Sequence, residues 1–409
     1  MPTLIFVPET INIAETTRMI EIARACRPYF HCVFFGYSDQ FSGLIEQAGF
    51  EFRRLQPWLT EAKIEHLWKV DRMESFQDPF TEEELRARVR SELALYEELQ
   101  PAAVVIGFTL STVISARAAH VPLVYVMPFP LSRPFLQAGL ATWPDAFDWP
   151  IVRWLPSQWL AALTNRWLLN TRLWIGPFAR VAATYGTPPI RRLVDIYEGD
   201  YTLVTDIPEL TGITTLPDHW HYVGPIFAHL EGEIPPEILG LPRDRPLIYC
   251  AMGSSANRAI LAKVLAAFEG APYTVIAPVK AHVRDLPMPK NVHVFDWLPA
   301  HKVNPLADLA VIHGGQDTVQ TACASGTPLV GIGLQPEQES NIELVVRYGS
   351  ARRLSKRRLS RRTLLAAIDD LLDDPTARSR AADLQRLFAQ WNGAARAAEF
   401  LREQFLERD

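Results

Sequence analysis

The chain has 409 residues, a formal net charge of -5, and 48% hydrophobic against 21% charged residues. That length suits two ordinary domains, each with its own core, and the acidic balance argues against an obligate nucleic-acid binder. Four cysteines outside any spaced framework, with no Cys/His cluster, exclude a disulfide scaffold, give no metal-site signal and point to a reduced cytoplasmic setting.

The first residues enter a strand pattern with no basic n-region, so no signal peptide is expected, and no apolar run is long enough to span a bilayer. Residues 3–7 (TLIFV) read as a buried strand. Residues 15–27 carry Met19, Ile22, Ala23 and Cys26 at helical spacing. Residues 31–36 read as strand, 40–48 as helix and 50–55 as strand, and short connections make this a parallel β-α-β-α-β sheet with helices on its faces. Between 58 and 80 no period is clear, so a loop region is expected, with His66 and Asp71 in it. Residues 82–99 form a charged amphipathic helix with Leu85, Val89, Leu93 and Leu95/Tyr96 on one side. Residues 103–106, 111–119 and 122–127 continue the alternation.

Residues 143–174 hold six of the eleven tryptophans, interspersed with Arg153, Arg166 and Arg172. Two readings stand: aromatics lining the domain core and an apolar acceptor pocket, which is preferred, or an amphipathic helix resting on a membrane surface. Short strands at 201–205 and 221–223 close the first half. Residues 227–245, rich in Pro and Glu, read as a linker, giving domains at 1–226 and 246–389 and a terminal helix at 390–409. In the second half, 247–251, 273–279 and 292–295 are strands, 258–269 is a helix, and Gly253-Ser254-Ser255 is a turn. Residues 352–362 read as a solvated basic turn region, followed by helices at 363–372, 377–391 and 394–405.

Residues 312–341 read IHGGQDTVQTACASGTPLVGIGLQPEQESN. An apolar strand at 309–312 ends in His313-Gly314-Gly315, and a helical segment follows at 317–325. Helix-start N–H groups lack partners and glycines let a phosphate approach the backbone, so this pattern makes an anion site. A second strand at 329–332 leads into a turn, Gln335-Pro336-Glu337-Gln338, and on to Asn341.

This stretch resembles the signature of the family 1 GT-B glycosyltransferases, the UDP-glycosyltransferase and macrolide-glycosyltransferase group: HxGxGT or HCGWNS, then G-V-P, then D/E-Q-x-x-N. His313, Gly315, Thr318, Gly326, Pro328, Glu337, Gln338 and Asn341 fall at that spacing. Trp297-Leu298-Pro299, with Ala307-Asp308-Leu309, resembles the family's W-x-P-Q-x-x-L-L-P-x-A-D-L, with Ala300 in place of Gln. The resemblance implies a GT-B fold, α/β with two facing Rossmann-like domains and a last helix crossing back onto the first. It also implies a nucleoside-diphosphate sugar (UDP- or dTDP-sugar) as co-substrate. The donor would be held by Ser254, Ser255, Trp297, Leu298, His313, Gly314, Gly315, Gln316, Asp317, Thr318, Glu337, Gln338 and Asn341. Among these, Trp297 would stack on the base, His313 and Thr318 would bind the pyrophosphate, and Glu337 and Gln338 the sugar hydroxyls.

Four departures bear on the chemistry. Relatives carry a basic His after the first strand, and Glu15 stands at that place; they often carry an Asp before Phe108, and Gly107 stands there. The His–Asp dyad is absent. Glu15 is the candidate catalytic base, because a carboxylate in an apolar cleft gains basicity, while a glutamate in a first helical turn also stabilises the helix with no catalytic role. Glu9 is the reserve. Thr321 replaces a ribose-gripping Glu, leaving the nucleobase open. Asp317, at the helix start, would repel a phosphate about 5 Å away by roughly 1 to 3 kcal/mol. The expectation is therefore an inverting glycosyltransferase acting on an apolar, phenolic acceptor, without metal or other cofactor. The alternatives are a GT-B scaffold retained for binding and a lipid glycosyltransferase at a membrane surface.

Overall fold

Two all-parallel sheets organise the chain. The first contains β1 (Thr3–Val7), β2 (His31–Gly36), β3 (Glu51–Arg54), β4 (Ala103–Ile106), β5 (Leu123–Met127), β6 (Tyr201–Val204) and β7 (Trp220–Tyr222), in the order β3-β2-β1-β4-β5-β6-β7. The second contains β8 (Leu247–Ala251), β9 (Thr274–Ala277), β10 (Val292–Val294), β11 (Leu309–Ile312), β12 (Leu329–Gly331) and β13 (Ala351–Arg353), in the order β10-β9-β8-β11-β12-β13. The computed structural model describes residues 1–228, 232–252 and 258–406. By its contacts, Met1–Leu140, Ala162–Ala228 and Trp391–Asp409 form one unit, and Ala141–Ala161 with His229–Gln390 form the other. Residues 141–161 thus group with the second sheet, and the terminal helix with the first.

Strands covered by helices on both faces must be apolar throughout, which is why TLIFV, AVVI, LVYVM and LAVI are continuous hydrophobic runs. In the first unit, Leu4, Phe6, Phe34, Val105 and Val124 meet Met19, Ile22 and Ala23 of the helix Ile13–Cys26. The terminal helix Gly393–Phe405 packs on that same helix and brings Ala397, Ala398 and Leu401 into this core. Its approach requires glycine at 224, where φ is +88° and an added Cβ would lie 2.6 Å from the Trp391 ring. In each sheet the strand order reverses once, between β1 and β4 and between β8 and β11, and open α/β sheets bind ligands at the carboxyl ends beside such reversals.

Four sequence expectations need correction. Residues 58–80 contain a helix, Glu61–Asp71, capped by the Thr60 side chain. Val70 is its one buried residue, so no apolar period could show. The expected turn at 335–341 is the start of a helix, Pro336–Tyr348, with Gln335 as N-cap. The basic region is not a solvated turn throughout: Ala351–Arg353 is the edge strand β13, and Arg352 pairs with Asp370 and Asp374. Most of the tryptophan segment does not enter the core, because Trp149, Trp154, Trp159 and Trp167 are exposed, whereas Trp143 and Trp174 are partly buried.

Candidate functional site

The first reversal lies between the ends of β1 and β4, where Glu9, Glu15 and Gly107 converge. Asn12 caps the helix Ile13–Cys26 through its side-chain oxygen, and this places Glu15 in the first turn with its carboxyl directed back over the sheet end. Glu15 is 2% exposed. Its Oε1 accepts from the backbone N–H of Glu9 at 2.9 Å and of Phe108 at 2.7 Å. Its Oε2 is buried without a hydrogen-bond partner. Burial pushes the carboxyl up to about 8, against the lowering effect of the two N–H donors.

The two departures at Glu15 and Gly107 are one feature. A Cβ at Gly107 would lie 2.2 Å from Glu15 Oε1 and 2.5 Å from its carboxyl carbon. The Glu15 carboxyl occupies the volume that a side chain at 107 would fill, and it takes the Phe108 N–H as its own donor.

Glu9 is placed differently. Its Oε2 lies 3.5 Å from Nη1 of Arg88, which is fully buried between the rings of Tyr37 and Phe80, 3.9 and 4.3 Å from their centroids. Burial raises the Glu9 carboxyl and Arg88 opposes that rise. One turn on from Arg88, Glu92 is also fully buried and accepts from Tyr37 and Ser111 at 2.6 Å each, and from Ser115. Sequence reading missed this layer. The signal was present, since Arg88 and Glu92 sit at the core-facing spacing of Leu85, Val89 and Leu95 on one helix, and charges there need buried partners.

The second reversal brings the end of β11 to the helix Gln316–Ala324, with Gly315 as N-cap. His313 is buried, its Nδ1 lies 3.3 Å from the Ala251 carbonyl, and burial lowers it to about 4. A carbonyl only accepts, so Nδ1 carries the proton and Nε2 keeps its lone pair. Both glycines after it are required: a Cβ at Gly315 would sit 2.6 Å from His313 Nε2, and Gly314 has φ +89° with Ile342 and the Gln338 carbonyl against it. Gln316, Asp317 and Thr318 form the first helical turn, and Thr321 donates to the Asp317 carbonyl at 2.7 Å.

Asn341 fastens the two turns together, donating to the Gly314 carbonyl at 3.0 Å and to Glu337 Oε1 at 2.8 Å. Glu337 is partly exposed beside it. Gln338 is buried, accepting from Leu334 N–H at 3.0 Å and donating to Gln335 at 2.6 Å, so much of its hydrogen-bonding capacity is spent inside the helix start. Leu298 is buried, and Trp297 is half-exposed with its ring edge against Gly232, where a Cβ would lie 2.3 Å away. Ser254 and Ser255 lie outside the described residues.

A second acidic group went unnoticed in the sequence. Glu339 is buried, accepts from Asp145 N–H at 2.9 Å and lies 3.6 Å from Arg353, which also pairs with Asp145 at 3.1 Å. Burial first, then Asp145, raises Glu339 to about 7. These bonds bind residues 141–148 to the second unit.

Residues 248–390 match the model of the family described as UDP-glucoronosyl and UDP-glucosyl transferase. The chain is 28% identical over 395 residues to a PGL/p-HBAD biosynthesis glycosyltransferase of Mycobacterium tuberculosis, covering 94% of this chain and 88% of the relative. It is 27% identical over 393 residues to a PGL/p-HBAD biosynthesis rhamnosyltransferase of Mycobacterium bovis, covering 95% and 84%. Among solved structures, the glycotransferase of kitacinnamycin superposes with a TM-score of 0.69 at 18% identity, over 99% of this chain and all of that one.

Proposed function

We propose that the chain, whose residues 248–390 match the UDP-glucoronosyl and UDP-glucosyl transferase model, is a family 1 GT-B glycosyltransferase of the macrolide-glycosyltransferase type, and that it moves a sugar, with inversion, from a nucleoside-diphosphate sugar to the hydroxyl of an apolar phenolic acceptor. Glu15 is the base. The observation that carries this reading is the Glu15 carboxyl itself: buried, raised to about 8, and holding one oxygen with no hydrogen-bond partner.

Glu15 Oε2 takes the acceptor's hydroxyl proton as the acceptor oxygen bonds to the anomeric carbon. The bond from that carbon to the pyrophosphate oxygen breaks, and the nucleoside diphosphate leaves with the electron pair. A base near 8 stands about two units below a phenol near 10, a gap that proton transfer in the transition state can bridge, whereas an aliphatic alcohol lies much further away. In the second unit, the N–H groups at the start of Gln316–Ala324, with His313 and Thr318, take up the charge developing on the leaving group. Trp297 offers its face to the base and Glu337 its carboxylate to the sugar. No metal ion is invoked. The names of the two mycobacterial relatives, both placed in PGL/p-HBAD biosynthesis, are compatible with a phenolic acceptor.

The test is Glu15→Gln, which keeps the shape and removes the basicity. Turnover should fall by about 10²-fold or more with the affinity for nucleoside diphosphate unchanged, and more for alcohols than for acidic phenols. Full turnover on every acceptor would leave Glu15 as a helix-terminus residue only.

A further inference from the structure

The helix Ser157–Asn170 turns a mixed face inward and leaves an apolar stripe uncovered. Thr164 and Asn165 are buried, with Leu160, Ala161 and Leu168 partly buried beside them, while Trp159, Leu163 and Trp167 stand exposed at i, i+4 and i+8 along one face. Ile151, Trp154 and Leu155 precede it in the same state. The exposures reach 88% at Trp154, 65% at Trp159 and 41% at Trp167. Three exposed tryptophans within 14 residues are not the scattered apolar surface of an ordinary soluble protein.

Along the chain, the segment that carries this stripe has charged residues of one sign, between Asp148 and Asp195. From residue 149 to residue 194 the chain holds six arginines and no aspartate, glutamate or lysine, although the whole carries a net charge of -5. Arg153 is paired with Asp148 at 3.0 Å and Arg180 with Glu82 at 2.7 Å. Arg166, on the exposed side of the helix, and Arg172, just beyond its end, are exposed and have no acidic partner among the described residues. No helix of the described residues is long and apolar enough to cross a membrane. Indole rings favour the boundary between headgroups and acyl chains, and arginine beside them favours an anionic surface.

From the exposed tryptophan stripe and the exposed arginines beside it, we propose that residues 149–172 dock the protein on an anionic lipid bilayer, with Trp154, Trp159, Leu163 and Trp167 entering the headgroup layer and Arg166 and Arg172 meeting lipid phosphates. The docking is a property of this surface alone. It requires neither donor nor acceptor and is independent of the role proposed for Glu15.

Co-sedimentation with vesicles of phosphatidylcholine containing roughly 30 mol % phosphatidylglycerol, at about 0.1 M salt, reads the partition coefficient directly. The whole chain should bind these vesicles at least about 10-fold better than pure phosphatidylcholine vesicles, and the combined variant Trp154→Ser/Trp159→Ser/Trp167→Ser should bind at least about 10-fold more weakly. Arg166→Glu/Arg172→Glu, confined to exposed positions, should abolish the preference for the anionic lipid. This holds the proposal to account even if the serine variant folds poorly. Equal binding by the parent chain and both variants would overturn it, as would no binding to either vesicle. If light scattering shows a dimer that the serine variant dissolves, with no vesicle binding, the stripe belongs to a second copy and the lipid assignment fails.

Discussion

Replacing Glu15 by glutamine probes stability as well as rate. The carboxyl titrates near 4.5 in an unfolded chain and near 8 in the fold, so between those values the folded state holds a proton that the unfolded state has released. Stability from this group is therefore complete below about 4.5 and is lost as pH rises through about 8. Between pH 5 and pH 8 the loss amounts to roughly 3 to 4 kcal/mol, from about 1.4 kcal/mol per unit over most of the interval. Urea denaturation of the parent chain and of Glu15→Gln at several pH values should give curves that diverge by this amount, the variant being the more stable at pH 8. Glu9, which interacts with the Glu15 charge, shifts with the substitution, while titrating groups away from Glu15 are common to both proteins and cancel. Turnover of the parent chain should rise with pH through about 8 and level off, while the residual rate of the variant should lack that limb. If the stability difference between the two proteins stays constant from pH 5 to pH 8, the carboxyl is ionised throughout, and the reasoning from burial fails.

Gly107→Asp should destabilise the protein by about 1 to 3 kcal/mol by displacing the Glu15 carboxyl. Combining it with Glu15→His should recover part of that loss, and a thermal-melting cycle showing simple additivity would break the link between the two positions. Nucleoside-diphosphate binding should take up protons, because His313 Nε2 must gain one to donate to a phosphate; calorimetry in buffers of different ionisation enthalpy measures this uptake, and His313→Ala should reduce it. Arg88→Met should cost roughly 3 to 5 kcal/mol by stranding Glu9, and adding Glu9→Gln should restore part of it, both read by denaturant midpoints.

The alternation of apolar runs and helical periods made both sheets legible, since strands covered on two faces cannot hide their composition. What escaped had no period to show. Helix Glu61–Asp71 buries a single side chain, and β13 is three residues long at a sheet edge with two arginines in it. At the site, HGG and the Glu-Gln-x-x-Asn spacing were readable because glycine and helix-start geometry are written locally. Asn341 closing the two turns onto each other was not, because its partner Gly314 lies 27 residues away. The seating of Glu15 over Gly107 is likewise a contact across 92 positions, visible in the sequence only as two separate substitutions. The tryptophan segment misled because six tryptophans in 32 residues read as core, while exposure is decided by which face the rest of the fold leaves uncovered.

Burial moves Glu15 in the first unit and His313 in the second toward their uncharged forms, and this sets what each would have to receive in its proposed role. Glu15 at about 8 rests protonated at neutral pH, and His313 at about 4 rests neutral. In the proposed donor complex the phosphate's opposite charge would favour the His313 imidazolium against the desolvation that suppresses it. With its carboxyl raised to about 8, Glu15 has only a minor ionised fraction near pH 7 for the role proposed here. That fraction is more basic than an ordinary carboxylate by over three units, which is the property a phenol requires and an exposed glutamate lacks. A buried His–Asp pair solves the same problem with an imidazole kept near neutrality by its partner carboxylate. Here a single carboxyl, held by two backbone N–H groups in the space of an absent side chain, is raised by desolvation first and by the neighbouring Glu9 charge, against the two N–H donors and Arg18.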